Sequence, residues 1–472
     1  MILHIGRVIL VVVEVLIIFN LLIVVHEIGH FLAARWRGLY IEKFGIWFGK
    51  PLWKKKINDV QYSLGSLPFG GFVALPQLAP MDIIEGKADI DRAQLPPVSA
   101  LDKIIVAVAG PFFSLLLAFV FAVIVWVAGY PVSESDMTTV VGYILPDSPA
   151  EKAGLQPGDK ILEVDGKRVT RFLGMNDSVS WAVVRSEGET IPVKYEHAGK
   201  VRTVQVEPYK AETRGWRRKS VRQLLILPAE TALIDKVEPD SPAGKVGLQK
   251  GDIIRGFNHA PIYNPVALQE YIKKHPDETL ILDVERGGSR LEVSVKPTPL
   301  PTEGKMQPRI GIQWDTNLTV SHPSPLELVH NSVTSTLNTL GAVISPKSDV
   351  KLQHLSGPVG IGRIYFLFFQ SEHGWQLVLW LSVVLNVNLA ILNMLPIPVL
   401  DGGHILFGLI ESIRRKPMNI RLLEYVQGVC TLLIVGLIVY ITFFDIQDIP
   451  FIKHALDKYM PQQSQSKDRD LP

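Results

Sequence analysis

Apolar residues are spread unevenly along the 472-residue chain. They gather in four runs, residues 8–25, 104–129, 377–400 and 428–444, each built almost wholly of apolar side chains. A helix needs about 17–25 such residues to cross the hydrocarbon of a bilayer, so the pattern predicts four transmembrane helices. The first run has no small-residue cleavage motif and leads directly into His26 and Glu27, so it is expected to be retained rather than removed as a signal peptide. Between the second and third runs, residues 131–376 alternate short apolar stretches with Gly, Asn, Asp and Pro turns, a β-rich pattern.

That long insert contains a repeat. Pro146-Asp-Ser-Pro-Ala150 returns as Pro239-Asp-Ser-Pro-Ala243, and Gly154-Leu-Gln-Pro-Gly-Asp159 as Gly247-Leu-Gln-Lys-Gly-Asp252, a shift of about 93 residues. Each copy continues into an apolar run and a second turn, Asp165-Gly166 or Asn258-His259. The pair resembles tandem PDZ domains, which implies capture of an extended peptide or its C-terminal carboxylate by strand addition. The carboxylate loops are expected just before Val141 and Ala232. The expected plan is residues 1–130 for the first two spans and their connecting loop, 131–215 and 216–300 for the β-domains, and 301–376 for a connector with a helix near 325–343. Residues 377–460 then carry the last two spans, and 461–472 form a polar, disordered tail.

Charge narrows the partners. With 48 basic and 46 acidic residues the net charge is +2, which gives no field for nucleic acid. Arg35, Arg37, Lys43, Lys50 and Lys54 to Lys56 follow the first run, and Arg414, Arg415, Lys416 and Arg421 separate the third from the fourth. The positive-inside rule makes both loops cytoplasmic and the β-domains extracytoplasmic. The single cysteine, Cys430, excludes an internal disulfide and a Cys-based zinc cluster, so any metal here needs His and carboxylate ligands.

Such ligands are present. His26-Glu-Ile-Gly-His30 puts two imidazoles one helical turn apart, facing one way, with Glu27 available as a general base. Two imidazoles and a carboxylate at the end of a bilayer span are costly unless functional, which favours zinc. A catalytic zinc needs a third protein ligand, and the first and third spans run parallel, so their C-terminal ends share one membrane depth. The candidates there are Asp401 and His404.

His26-Glu-Ile-Gly-His30 at the end of the first run, residues 393–403 matching N-x-x-P-x-P-x-L-D-G-G, and the paired PDZ insert together resemble the bacterial site-2 proteases of the regulator of sigma-E protease type. The resemblance covers nearly the whole chain. It implies a polytopic α-helical membrane protein with about four transmembrane helices, a membrane-associated β-hairpin and two PDZ domains. It further implies an intramembrane zinc endopeptidase in which His26, His30 and Asp401 bind zinc and Glu27 activates water, with Asn393, Pro396 and Pro398 at substrate-binding positions. The hairpin corresponds to residues 44–50 and 60–75, although Trp47 stands where a small residue is expected.

A transmembrane substrate hides its carbonyls in its own helix and must be unwound before cleavage. The apolar, β-prone stretch around Gly70 and Gly71 could offer it an edge strand, and Asn393 could hold a freed backbone group. The expected substrates are single-pass membrane proteins, an anti-sigma factor or remnant signal peptides, screened for size by the PDZ pair. The expected place is the bacterial inner membrane, in contact with lipid, with the PDZ domains in the periplasm and HExxH near the cytoplasmic side. A zinc carrier and a non-catalytic scaffold are the competing readings; the first has no use for Glu27 as a base, and the second leaves the His-Glu-His-Asp set unexplained.

Overall fold

The computed structural model describes residues 2–78, 95–213, 215–302, 305–416 and 418–449, so the expected tail lies outside the described residues. The chain divides into two compact units, one combining Met1–Tyr130, Ser321–Asn338 and Gln353–Ala455, the other joining Pro131–Val320 to Thr339–Leu352.

The first unit is helical. Helices α1 (Ile2–Trp36), α2 (Ala100–Ala128), α3 (Pro325–Ile344), α4 (Pro358–Gln370), α5 (Gly374–Asn393), α6 (Asp401–Arg414) and α7 (Ile420–Gln447) follow in order. Four of the described helices, α1, α2, α5 and α7, contain segments long and apolar enough to cross a membrane. Many large apolar side chains, such as Ile9, Val127 and Leu432, face outward, as suits helices solvated by lipid. The inner faces carry smaller residues: Ala118, Ala122 and Val125 of α2 cluster with Val383 and Val387 of α5.

One expectation about the helices changes, and the connector holds a helix that its sequence conceals. The third apolar run stops at Asn393 rather than residue 400, because Pro396 and Pro398 lack backbone donors and end the helix. The Gly357-Pro358 turn opens a helix, α4, whose N-terminus is anchored by a buried carboxylate from the last span. Asp445 accepts the backbone N–H groups of Gly357 and Gly360, both at 2.9 Å. A side chain on either glycine would collide with that carboxylate. Asn388 of α5 meets Thr336 of α3, tying two helices as such residues do in lipid.

The expected hairpin is a four-stranded sheet. Strands β1 (Lys43–Phe48), β2 (Trp53–Ile57), β3 (Val60–Leu64) and β4 (Leu67–Ala74) lie in the order β2-β3-β1-β4, with β1 parallel to β3 and antiparallel to β4. Strand β2 is hidden in the sequence by Lys54, Lys55 and Lys56, which serve as the exposed edge of the sheet. Asn58 and Asp59, both at positive φ, make the tight turn into β3. Trp47 also has positive φ, +69°, at a bulge between Ile46 and Phe48. That explains why a small residue is expected there: an L side chain in this region is strained.

The second unit holds two β-domains of like design. In the first, strands β5 (Val141–Ile144), β6 (Lys160–Val164), β7 (Lys167–Arg168), β8 (Ile191–His197), β9 (Lys200–Val206) and β10 (Ile226–Pro228) enclose Val141, Ile161, Ile191 and Val193. The second repeats this with β11 (Ala232–Val237), β12 (Ile253–Phe257), β13 (Ala260–Pro261), β14 (Leu280–Arg286) and β15 (Ser289–Val295) over Ile234, Ile254 and Leu282. A β-ribbon of β16 (Thr298–Thr302) and β17 (Lys305–Arg309) leads into its closing strand β18 (Ile312–Trp314).

The boundaries differ from those expected. Strand β10 pairs with β5, and β18 pairs with β11, so residues 215 and 300 fall inside the domains and not between them. The last strand of each copy returns to its first after a polar stretch that carries no periodic signal. Buried Asp159 and Asp252 occupy matching places in the two copies but have different partners. Asp159 meets His197 Nδ1 at 2.5 Å, whereas Asp252 accepts Nε and Nη2 of Arg286, both at 2.7 Å. Burial works against the charge on Asp252, yet the Arg286 bonds outweigh it and hold the carboxyl below its usual range.

Candidate metal centre

Helix α1 carries the first two candidate ligands. His26 and His30 lie on one face, their rings 4.9 Å apart and nearly perpendicular, both within a tenth of full burial. That face is pressed on α2, because Gly29 leaves no room for a side chain against the Ala109 carbonyl. Helix α2 then fixes each imidazole by its outer nitrogen. His30 Nδ1 donates to the Val106 carbonyl at 2.8 Å, and His26 Nδ1 pairs with Ser114 Oγ at 3.0 Å. With a proton on Nδ1, each neutral ring turns the lone pair of Nε2 inward.

The third ligand atom comes from the far end of the sequence. The break after α5 lets α6 begin at Asp401, packed so closely that Cβ atoms on Gly402 or Gly403 would strike the Leu395 and Ile397 carbonyls. Asp401 Oδ2 lies 3.2 Å from His26 Nε2, and Oδ1 lies 3.3 Å from His30 Nε2. The two Nε2 atoms are themselves 3.2 Å apart. A tetrahedral ion with bonds of about 2.0–2.1 Å keeps its ligand atoms roughly 3.3 Å apart, so this triangle fits zinc. Asp401 Oδ2 also has no hydrogen-bond donor although buried. Three lone-pair groups meeting in an apolar bundle are costly until a cation joins them.

Space for the ion is kept by α2. A Cβ on Gly110 would lie 2.2 Å from His30 Nε2 and 2.8 Å from His26 Nε2. Val106, Ser114 and Gly110 were not legible as site residues; the Gly110-Pro111 pair inside an apolar run was their one signal.

The remaining residues surround a cavity of about 190 Å³. Glu27 lines it beside the two histidines, with Gly71 and Val73 of β4 opposite; a Cβ on Gly71 would stand 3.3 Å from Glu27 Cγ. Asn393, the last residue of α5, reaches His26 Nε2 at 3.3 Å through Nδ2. His404 also lines the cavity, one turn along α6, but it is Asp401 that joins the ligand triangle. Gly70 packs against the Phe48 ring, with room for no side chain and φ of +83°. Pro396 and Pro398 form the break above α6, where the Pro398 carbonyl accepts Gln427 Nε2 from α7, and the cavity is lined instead by Val399 and Leu400. Two ion pairs brace this end of the bundle: Arg37 to Asp102 at 2.6 Å and Lys103 to Glu411 at 2.7 Å.

The chain is similar to known proteins over most of its length. The chain is 30% identical over 430 residues, 86% of its length and 92% of the relative's, to a putative zinc metalloprotease of Neisseria meningitidis. It is 29% identical over 451 residues, 90% of its length and 96% of the relative's, to the regulator of sigma-E protease RseP of Escherichia coli. Among solved structures, the PDZ domain of an SdrC-like protein from Listeria innocua matches 18% of this chain and 93% of its own at 23% identity, with a TM-score of 0.17. Residues 14–437 match the family model for Peptidase family M50. A HExxH helix, a distant aspartate completing a zinc-sized triangle, and a match over most of the chain lead to one assignment: the chain belongs to Peptidase family M50, the zinc-dependent metalloproteases.

Proposed function

We propose that this metalloprotease is a site-2 protease that cuts single-pass membrane proteins within the bilayer. The single observation that carries the reading is the triangle of buried His26 and His30 with half-buried Asp401, Glu27 on the same cavity, and both histidines on a helix of membrane-spanning character. His26, His30 and Asp401 would hold the zinc. Zinc, when bound, supplies an acidified water and polarises the scissile carbonyl.

The chain's own groups do the rest. Glu27 takes a proton from the attacking water and delivers it to the leaving nitrogen. Strand β4 ends its sheet and lines the cavity through Gly71 and Val73, so an unwound substrate added to its edge would present its backbone beside Glu27. Gly71 permits that close approach, and Gly70 keeps the strand seated on Phe48. Asn393 is suited to hold a freed peptide group. Pro396 and Pro398 contribute by ending α5, which puts Asn393 and Asp401 at the cavity. Glu27→Gln in the purified protein should retain zinc and lose about 10²–10⁴-fold in cleavage of a model single-pass substrate. Activity that persists would remove Glu27 from the mechanism.

The Lys and Arg pattern supports an inner-membrane placement with HExxH near the cytoplasmic side and the PDZ-like domains in the periplasm. The name of the Escherichia coli relative, a regulator of sigma-E, supports an anti-sigma factor as substrate, with remnant signal peptides as the second class. Two PDZ-like domains inserted between the second and third spans would act as a size filter, admitting substrates already trimmed on the outer side. Removing residues 131–320 should then let the protease cut substrates with bulky outer domains as fast as trimmed ones. Equal cutting of both by the intact protein would refute the filter.

A further inference from the structure

The two PDZ-like domains share one design but treat their grooves differently. In the second, helix Pro265–Lys274 and residues 307–314 face each other across a cavity of about 270 Å³. Leu268 and Ile272 line one side, Ile310 and Ile312 the other. Gly311 has φ of +82°, and no acceptor meets the amides of Ile310 and Gly311 among the described residues. This open groove follows the last turn of the domain, so it lies away from the loop before Ala232 where the sequence suggested it.

The first domain can be aligned on it without ambiguity. Ser178 caps helix Val179–Val184 as Asn264 caps Pro265–Lys274, and Ile226 pairs with Ile144 as Ile312 pairs with Val237. Leu225, at φ +58°, repeats the positive φ of Gly311. Arg222, Ser186 and Glu187 therefore stand where Pro308, Ile272 and Lys273 line the open groove.

In the first domain all three are engaged. Arg222 reaches across from the loop to the helix end, donating to the Gly188 carbonyl at 2.6 Å and to Ser186 Oγ at 3.4 Å. Its Nε donates to Asp349 Oδ2 at 3.0 Å, and Lys210 Nζ donates to Asp349 Oδ1 at 2.6 Å. On the opposite rim Ser345 Oγ donates to Glu187 at 2.5 Å. The loop that supplies Ser345 and Asp349 is closed on itself, since Lys351 Nζ returns to the Ser345 carbonyl at 2.8 Å and the Val350 amide to Ser348 Oγ at 3.1 Å. Val350 is buried with Ala342 against Trp181 of the groove helix.

We propose that residues 345–351 of the connector are a built-in ligand of the first PDZ-like domain, with the Asp349 carboxylate seated on Arg222 and Lys210 where a partner's carboxylate would bind. A tethered segment acts at an effective concentration of about millimolar, so a free peptide of ordinary weak affinity does not displace it. Peptide capture then falls to the second groove, and the first domain serves as a clamp on the connector that leads to the third span.

The test is hydrogen–deuterium exchange on the full-length protein in detergent, comparing wild type with Asp349→Ala and, separately, Arg222→Ala. Both variants should expose the same amides, residues 222–226 and 345–351, with exchange faster by roughly tenfold or more, while residues 307–314 of the second domain exchange as in wild type. Trypsin should also gain access to Lys347 in both. Wild-type exchange at residues 222–226 in Asp349→Ala would overturn the proposal. So would acceleration that spreads equally into the second domain, since it would mean a general loss of structure.

Discussion

Among the described residues, two clusters of three His and carboxylate side chains bring their ligand atoms close enough to share one ion, and they differ as metal sites. His26 and His30 are buried and Asp401 is half-buried, with ligand atoms 3.2 to 3.3 Å apart. His259, Asp283 and Glu292 sit on the surface of the second β-domain, where His259 Nδ1 is 4.0 Å from Asp283 and 3.9 Å from Glu292. The first pair of histidines stands on one rigid helix and is held from behind by Val106 and Ser114. His259 lies in a turn at φ +61° with two-thirds of its side chain exposed. Water already solvates that cluster, so a cation has little to relieve there. The difference teaches that convergence of ligand types is cheap, whereas desolvation and fixed orientation make a metal centre.

The largest effect should separate the two clusters outright. Asp401→Ala should abolish both stoichiometric zinc and proteolysis, while Asp283→Ala leaves zinc content and activity at wild-type levels; elemental analysis alongside a cleavage assay reads both. Zinc lost from Asp283→Ala instead would reverse the assignment. Next comes Gly110→Ala, which adds one methyl group against two imidazoles and should cost about a hundredfold in activity through displacement of the ligands. A fully active Gly110→Ala would show that the α1–α2 crossing has more slack than its distances indicate. The smallest effect belongs to Ser114→Ala, which removes only the support behind His26 and should weaken zinc retention about tenfold, read by competition with a chelator. An unchanged zinc affinity would mean that the packing of α1 alone orients the ring.

Much of this was legible in the chain. The four spans appear as apolar runs, and the positions of His26 and His30 on one face follow from a period of 3.6 residues. Both are local properties, written within one element. Other elements were camouflaged by composition. Strand β2 reads as a lysine-rich loop because its outward edge must repel other strands, and α4 reads as a turn because its N-cap is Gly357 and its first residue Pro358. Trp47 stands out in the sequence as a bulky residue where a small one is expected, and the positive φ at its bulge supplies the physical reason.

The sequence by itself determined how many spans form, which two imidazoles share a face, that a third ligand had to come from elsewhere, and that one β-domain is used twice. Tertiary structure alone decided that Asp401 and not His404 completes the triangle, that Gly110 reserves its volume, and that Asp349 covers one groove while the other stays open. The physical reason is range. Periodicity and repeats are set by neighbours along the chain, whereas a metal triangle or a closed groove depends on ångström-scale distances between elements hundreds of residues apart, which only packing fixes.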